Sequence, residues 1–173
     1  MNYAEIKNCD IANGEGVRVT LFVSGCTNHC EGCFQPQTWD FDYGRPFTAE
    51  TEEKILKMLA PDYINGLTLL GGEPFEPQNQ QVLLPFVQRV RKAYPNKTIW
   101  AFTGFTLEQL QTQGFAKRCT ATDPLLSLID VLVDGRFILA QKNISLRFRG
   151  SENQRLLDLP ASLQTGKAVL WDK

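Results

Sequence analysis

Val17-Arg18-Val19-Thr20-Leu21-Phe22-Val23 runs through Ser24-Gly25 straight into Cys26-Thr27-Asn28-His29-Cys30-Glu31-Gly32-Cys33-Phe34. The first part is β-branched and apolar and stops at a small-residue turn, the pattern of a buried strand. The second packs three thiols, C-x₃-C-x₂-C, onto one short loop, where Cys26, Cys30 and Cys33 read as ligands of one soft metal centre. The loop therefore sits beyond a strand's carboxyl end, where parallel α/β sheets bind their ligands. Three is an informative number of ligands. A structural zinc takes four and closes its tetrahedron, and an iron–sulfur cube usually takes four cysteines. A cube held by three leaves one iron open for chemistry on something else. The alternative is a zinc knuckle completed by His29, Cys9 or Cys119, although no second C-x₂-C half is present. His29 lies between two of the cysteines, cramped for the same metal. It reads as an exposed loop residue that tunes a cluster through charge or hydrogen bonding.

Working outward, strands and helices alternate. Thr48 is placed to cap a helix whose first turn carries Glu50, Glu52 and Glu53, with Ile55, Leu56 and Leu59 toward the core. Leu67-Thr68-Leu69-Leu70 is a second strand, halted by Gly71-Gly72. A helix follows from about 78 to 94, with Leu83, Phe86, Val87 and Val90 at helical spacing; Pro85 inside it marks a kink or a start. Thr98-Ile99-Trp100-Ala101-Phe102 is a third strand, residues 107–113 a short helix, and Ile129-Asp130-Val131-Leu132-Val133 a fourth strand ending at Asp134-Gly135. Beyond residue 140 the pattern weakens, and short strands are expected at 146–148 and 168–171. This alternation predicts an α/β fold with a mostly parallel sheet and right-handed crossovers. The length is too short for eight βα units, so an open, partial (βα) barrel is expected over residues 1–173 as a single domain.

Composition narrows the classes. With 18 basic and 19 acidic side chains, the formal net charge of −1 does not point to nucleic acid or a membrane surface. Met1 to Asp10 lacks the apolar core of a signal peptide, and no stretch approaches the roughly 20 apolar residues of a membrane span. The odd number of cysteines, five, fits metal binding in a reducing cytoplasm better than disulfides. Cys9 and Cys119 stand alone and read as small buried or unreactive thiols.

Each remaining chemical run follows a strand: Gly71-Gly72-Glu73-Pro74, Thr103, and Asp134 with Arg136. Glycines at a strand end let backbone approach a ligand closely, and Glu73 adds a charged acceptor. Together with the cysteine spacing, Gly71-Gly72-Glu73-Pro74 resembles the signature of the radical S-adenosylmethionine (radical SAM) enzymes. The resemblance implies a [4Fe-4S] cluster whose open iron holds the amino and carboxylate groups of S-adenosyl-L-methionine. An electron from the cluster then splits that cofactor to methionine and a 5′-deoxyadenosyl radical. It further implies that Gly71, Gly72 and Glu73 hold the cofactor's amino group. Phe34 would lie beside the adenine, and backbone of Gly32, Cys33 and Phe34 along its edge. Thr103 would meet the ribose or carboxylate, or else cap its strand. Asp134 and Arg136, placed on one face of an extended segment, would border cofactor and substrate, or else form an ordinary turn.

The order of runs narrows the likeness. Asp10 to Gly16, the cysteine loop, Gly71 to Pro74, Val131 to Phe137 and Phe148-Arg149-Gly150-Ser151-Glu152-Asn153-Gln154-Arg155 are similar to the family of activating enzymes that serve anaerobic ribonucleoside-triphosphate reductase. That family implies a cytoplasmic oxidoreductase acting on a protein: the large subunit of the reductase, one glycine of which loses a hydrogen atom. It also implies a flavodoxin-type electron donor. Arg147, Arg149 and Arg155 read as a dock for the reductase or as a solvated basic strand. The rivals are another radical SAM activity, either a pyruvate formate-lyase activase or a small-molecule deazapurine synthase, and a non-enzymatic zinc-binding module.

Overall fold

The computed structural model describes residues 1–172. Seven strands form one open sheet in the order β3-β1-β2-β4-β5-β6-β7. Its centre is parallel: β2 (Arg18–Val23), β4 (Gly66–Gly71), β5 (Thr98–Phe102) and β6 (Val131–Asp134) pair side by side in one direction. Antiparallel strands finish both sides. On one, β1 (Asn2–Asp10) pairs with β2, and β3 (Arg45–Pro46) pairs with β1. On the other, β7 (Arg155–Asp158) pairs with β6. The expected parallel sheet is thus its middle, and the sheet does not close.

The helices follow the sequence signals closely. The helix α1 (Ala49–Leu59) starts at Thr48, whose hydroxyl accepts from the Thr51 N–H, with Glu50 and Glu52 in the first turn and Lys57 in the last. Pro77 occupies the first turn of α2 (Pro77–Ala93), where a missing N–H costs nothing. Pro85 neither starts nor stops α2. It lies on the exposed face, and the carbonyl it deprives of a donor belongs to Gln81, also exposed. Leu83, Phe86, Val87 and Val90 of α2, with Ile55 and Leu59 of α1, pack on one face of the sheet against Val19, Leu21, Val23, Leu67, Leu69 and Leu132. Each such side chain contributes on the order of 1.5–3 kcal/mol when fully buried.

The opposite face carries a smaller aromatic cluster. Trp100 packs edge-on against Phe148 at 5.3 Å and Trp171 at 5.0 Å, over Val131 and Val133. Arg18 is fully buried beside it, its guanidinium 5.4 Å from the Trp100 ring. All its donors are satisfied by neutral oxygens: the hydroxyls of Thr68 and Thr98 and the carbonyls of Glu15, Leu67 and Thr98. Burial lowers its pKa to about 10, and the distant carboxylates of Asp130, Asp10 and Glu15 only partly oppose this.

Several expectations change. Residues 146–148 form turns rather than a strand, with Phe148 at φ 58°. The stretch 168–171 lies beside β7 but pairs only through an isolated Leu157–Leu170 bridge. The strands β1, β3 and β7 and the helices α4 (Thr122–Leu126) and α5 (Leu159–Thr165) were not anticipated; α3 (Leu107–Gln111) was. Cys9 is exposed at the end of β1 rather than buried.

Candidate functional site

A cavity of about 510 Å³ opens over the carboxyl ends of the parallel strands. Its inner wall joins the turns after β2, β4 and β5. Cys26, Asn28, Cys30, Cys33 and Phe34 come from the first, Gly71, Gly72 and Glu73 from the second, and Phe102, Thr103 and Gly104 from the third. The outer wall is the segment from Lys142 to Gln154, and Ala12 and Asn13 close one side.

The cysteine loop is held from behind. The Gly25 and Cys26 N–H groups donate to the carbonyls of Thr38 and Trp39 at 2.8 and 3.1 Å. His29, at φ 47°, stacks its ring on Trp39 with centroids 4.5 Å apart, so it supports the loop rather than facing the cavity. The Thr27 N–H donates to the Glu76 carboxylate at 2.9 Å, and Lys117 pairs with the other oxygen of that carboxylate at 2.9 Å.

Tight backbone approach explains the glycines after β4. Gly71 has φ 113°. A Cβ on Gly72 would lie 2.6 Å from the Gly25 carbonyl oxygen and 2.9 Å from that of Thr38. Both contacts are backbone, so the turn after β4 seats against the cysteine loop only without a side chain. Glu73 is buried between them. Its carboxylate accepts from the N–H groups of Phe75 (2.9 Å) and Gly104 (2.7 Å) and from the Asn28 amide (3.1 Å). Burial pushes its pKa up to about 7 against those hydrogen bonds. Glu73 thus ties the three turns together, a bracing role that the sequence did not reveal.

Burial, and then the nearby Glu73 carboxyl, push the Cys26 thiol up to about 11, so metal binding there must displace a proton. Among the described residues, Cys26, Cys30 and Cys33 are the only cysteines on the cavity wall, and no histidine joins them. Among the described residues, no group of three or more His, Cys, Asp or Glu side chains is arranged to hold a single metal ion. Three thiols on one wall, with no fourth thiol or imidazole among the described lining residues, fit a multi-iron cluster that keeps one iron open. Cys9 and Cys119 lie off this wall; the Cys119 sulfur is 3.6 Å from the Gln80 side-chain oxygen. Cys9, Cys119 and His29, the residues expected to complete a zinc knuckle, do not line the cavity.

The other expected residues separate into two groups. Phe34 stands at the mouth, 70% exposed, 5.6 Å from Phe137 and with the Lys142 ammonium 5.1 Å from its ring centroid. Thr103 lines the cavity, and its hydroxyl accepts from the Phe105 N–H at 3.1 Å, which makes it a strand-end cap. Gly32, at φ 72°, is not on the cavity wall; Leu139 packs over it. Asp134 and Arg136 do not meet the cavity either. Gly135 at φ 100° turns the chain between them. Asp134 is fully buried, accepting from the Leu107 N–H at 2.8 Å and from the Arg155 Nε at 2.9 Å. Arg136 is exposed and donates to the Asn28 carbonyl. Both face a neighbouring groove behind the cysteine loop.

The late Arg-Gly-Ser-x-Asn-Gln run is a knot. The Gln154 side chain accepts from the N–H groups of Gly150 (2.9 Å) and Ser151 (3.1 Å) and donates to the Gly135 carbonyl (2.9 Å). Asn153 donates to the Arg136 carbonyl at 2.8 Å, and the Ser151 hydroxyl accepts from the Ile138 N–H at 3.2 Å. The run thereby fixes the base of the outer wall to the end of β6.

Comparison with known proteins agrees with this arrangement. A family model described as a 4Fe-4S single cluster domain matches residues 12–157. Three curated relatives all bear the name anaerobic ribonucleoside-triphosphate reductase-activating protein. The one from Pasteurella multocida (strain Pm70) is 46% identical over 156 residues, 89% of this chain and 95% of the relative. That from Escherichia coli (strain K12) is 43% identical over 156 residues, 89% and 96%. That from Enterobacteria phage T4 is 39% identical over 158 residues, 90% and 93%.

Proposed function

Since the chain belongs to the family of anaerobic ribonucleoside-triphosphate reductase-activating proteins and matches the 4Fe-4S single cluster domain, we propose that it is an enzyme that activates such a reductase by raising a glycyl radical on it. The observation that carries this reading is the set of three thiols, with no fourth thiol or imidazole among the described lining residues, on the wall of one cavity beside Gly71 and Gly72. On this reading the chain is one radical SAM domain over residues 1–173, and its open sheet is a partial barrel of that type. When bound, the [4Fe-4S] cluster and S-adenosyl-L-methionine would supply an electron and a 5′-deoxyadenosyl group able to take one hydrogen atom from a glycine of the reductase. Cys26, Cys30 and Cys33 would hold the cluster. The backbone at Gly71 and Gly72 would accept the cofactor's ammonium, and Phe34 would stack near the adenine, with Cys33 backbone and Thr103 beside it. Glu73 keeps the three turns in register, Arg136 buttresses the loop from outside through the Asn28 carbonyl, and Asp134 anchors Leu107 and Arg155 behind it. A flavodoxin-type donor is the expected source of the electron. No described helix is long and apolar enough to cross a membrane.

The test is electron paramagnetic resonance on protein purified without oxygen, loaded with iron and sulfide and reduced, with and without S-adenosyl-L-methionine. The expected result is a reduced four-iron signal that shifts when the cofactor is added. Bound zinc and no iron signal would overturn the reading. The Cys30→Ala variant should lose both the iron signal and all cofactor cleavage, and a variant that still cleaves would sink the ligand assignment.

A further inference from the structure

Exposed apolar side chains gather at the cavity mouth. Phe34 (70% exposed) and Ile144 (90%) line the cavity itself. Leu139, packing over Gly32, and Ile138 stand just before the outer wall, and Ile11 (74%) precedes the lining residue Ala12. The two lips meet where Arg147 approaches Glu15 at 3.8 Å. Large apolar side chains left in water in one neighbourhood mark a surface that something covers.

Charge indicates what covers it. Lys142 and Arg149 both line the cavity, and among the described residues neither has a carboxylate within ion-pair distance. Arg149 donates one N–H to the Gln154 carbonyl, a neutral partner. Among the described residues, the one carboxylate on the cavity wall is Glu73, already held by three protein donors. The mouth is therefore apolar with uncompensated positive charge, and it is continuous with the cavity.

We propose that this lip docks the reductase directly, receiving a segment in which apolar side chains flank a carboxylate. Ile144, Leu139 and Ile11 would take the apolar part, and Lys142 and Arg149 the acid. The inference rests on the activating function proposed above and adds to it the surface and chemistry of the partner. A protein substrate whose glycine must reach the cavity has to cross this lip, so the contact would set which glycine is presented.

Anaerobic equilibrium binding of the cluster-loaded protein to purified reductase tests it. Ile144→Asp should weaken binding roughly tenfold or more, as loss of a central apolar anchor does. Tyr63→Asp, at an exposed aromatic away from the cavity, should change binding by less than about twofold. Both variants should melt close to wild type, because exposed substitutions rarely shift stability by more than about 0.5 kcal/mol. Wild-type binding should weaken as salt rises, and Lys142→Gln should flatten that dependence. Ile144→Asp binding as tightly as wild type, or a wild type that cleaves the cofactor but never binds the reductase, overturns the docking surface. A wild type that binds through this lip yet cleaves no cofactor would instead overturn the activity and leave the surface standing.

Discussion

Gly72 is the residue with the least freedom at the site. Two backbone oxygens within 3 Å of where a Cβ would stand leave no flexible atom to move aside. Gly72→Ala should therefore cost about 1–3 kcal/mol and push the turn after β4 off the cysteine loop. A calorimetric melt and cofactor affinity read both effects, and an unchanged melt would refute the close fit. Arg155 sets a second residue-scale expectation. It joins Glu108 to the buried Asp134, and its hydrogen bonds hold the Glu108 carboxyl down at about 2. A carboxyl depressed in the folded state stabilises above its ordinary pKa and loses that contribution as pH falls from about 4.5 toward 2. Glu108 is more than half exposed, so the gain is at most about 1 kcal/mol. Denaturant titrations should show Glu108→Gln less stable than wild type at neutral pH, with the gap closing in acid. At this scale residue type and spacing picked out side chains that line the cavity. The three cysteines, Gly72 and Phe34 fall on one cavity, as their motifs implied. Asp134 and Arg136 do not, because alternation along a strand holds only until the chain turns, and Gly135 turns it. Asn28 and Glu76 carried no signal at all, since their value lies in partners distant in sequence.

Among the elements, the outer wall leans most on one side chain. Gln154 supplies three of the hydrogen bonds that close the Gly150–Gln154 turn onto Gly135. Gln154→Leu keeps the volume and removes all three, leaving two N–H groups and a carbonyl unpaired at a cost of roughly 1–3 kcal/mol. Hydrogen–deuterium exchange should quicken across residues 136–151 and stay unchanged in α1 and α2. Equal exchange in the wall would mean that Ser151 and Asn153 suffice to hold it. Elements with strong local signals were legible: the central strands run from apolar, β-branched segments, and α1 from its Thr48 cap. The strands β1 and β7 were not. Only Tyr3 of β1 and Leu157 of β7 are buried, so neither shows a hydrophobic pattern of its own. They exist because each finds a hydrogen-bonding strand beside it. Helix α4 hides for another reason, with Pro124 inside a five-residue turn.

Across the whole molecule, an open sheet must be closed at its floor by something other than another strand, and Arg18 serves there. It binds β4, β5 and the 10–16 loop with five hydrogen bonds to neutral oxygens. Arg18→Met would keep the contact with Trp100 but orphan those acceptors, a loss on the order of 3 kcal/mol or more. For a chain of this length that corresponds to a melting point about 6–12 °C lower; a shift under about 2 °C would show the floor to be held elsewhere. The alternation of elements foretold the parallel centre, but not this closure. The aromatic cluster above Arg18 has a different consequence. Trp100 and Trp171 lie 5.0 Å apart with their rings at 76°, and Phe148 touches Trp100 from the outer wall. Two indoles so close and so steeply inclined couple optically, so the protein carries its own ultraviolet gauge of whether the wall is seated. Near-ultraviolet circular dichroism can therefore follow wall movement in the colourless, iron-free protein, where the iron spectroscopies are silent.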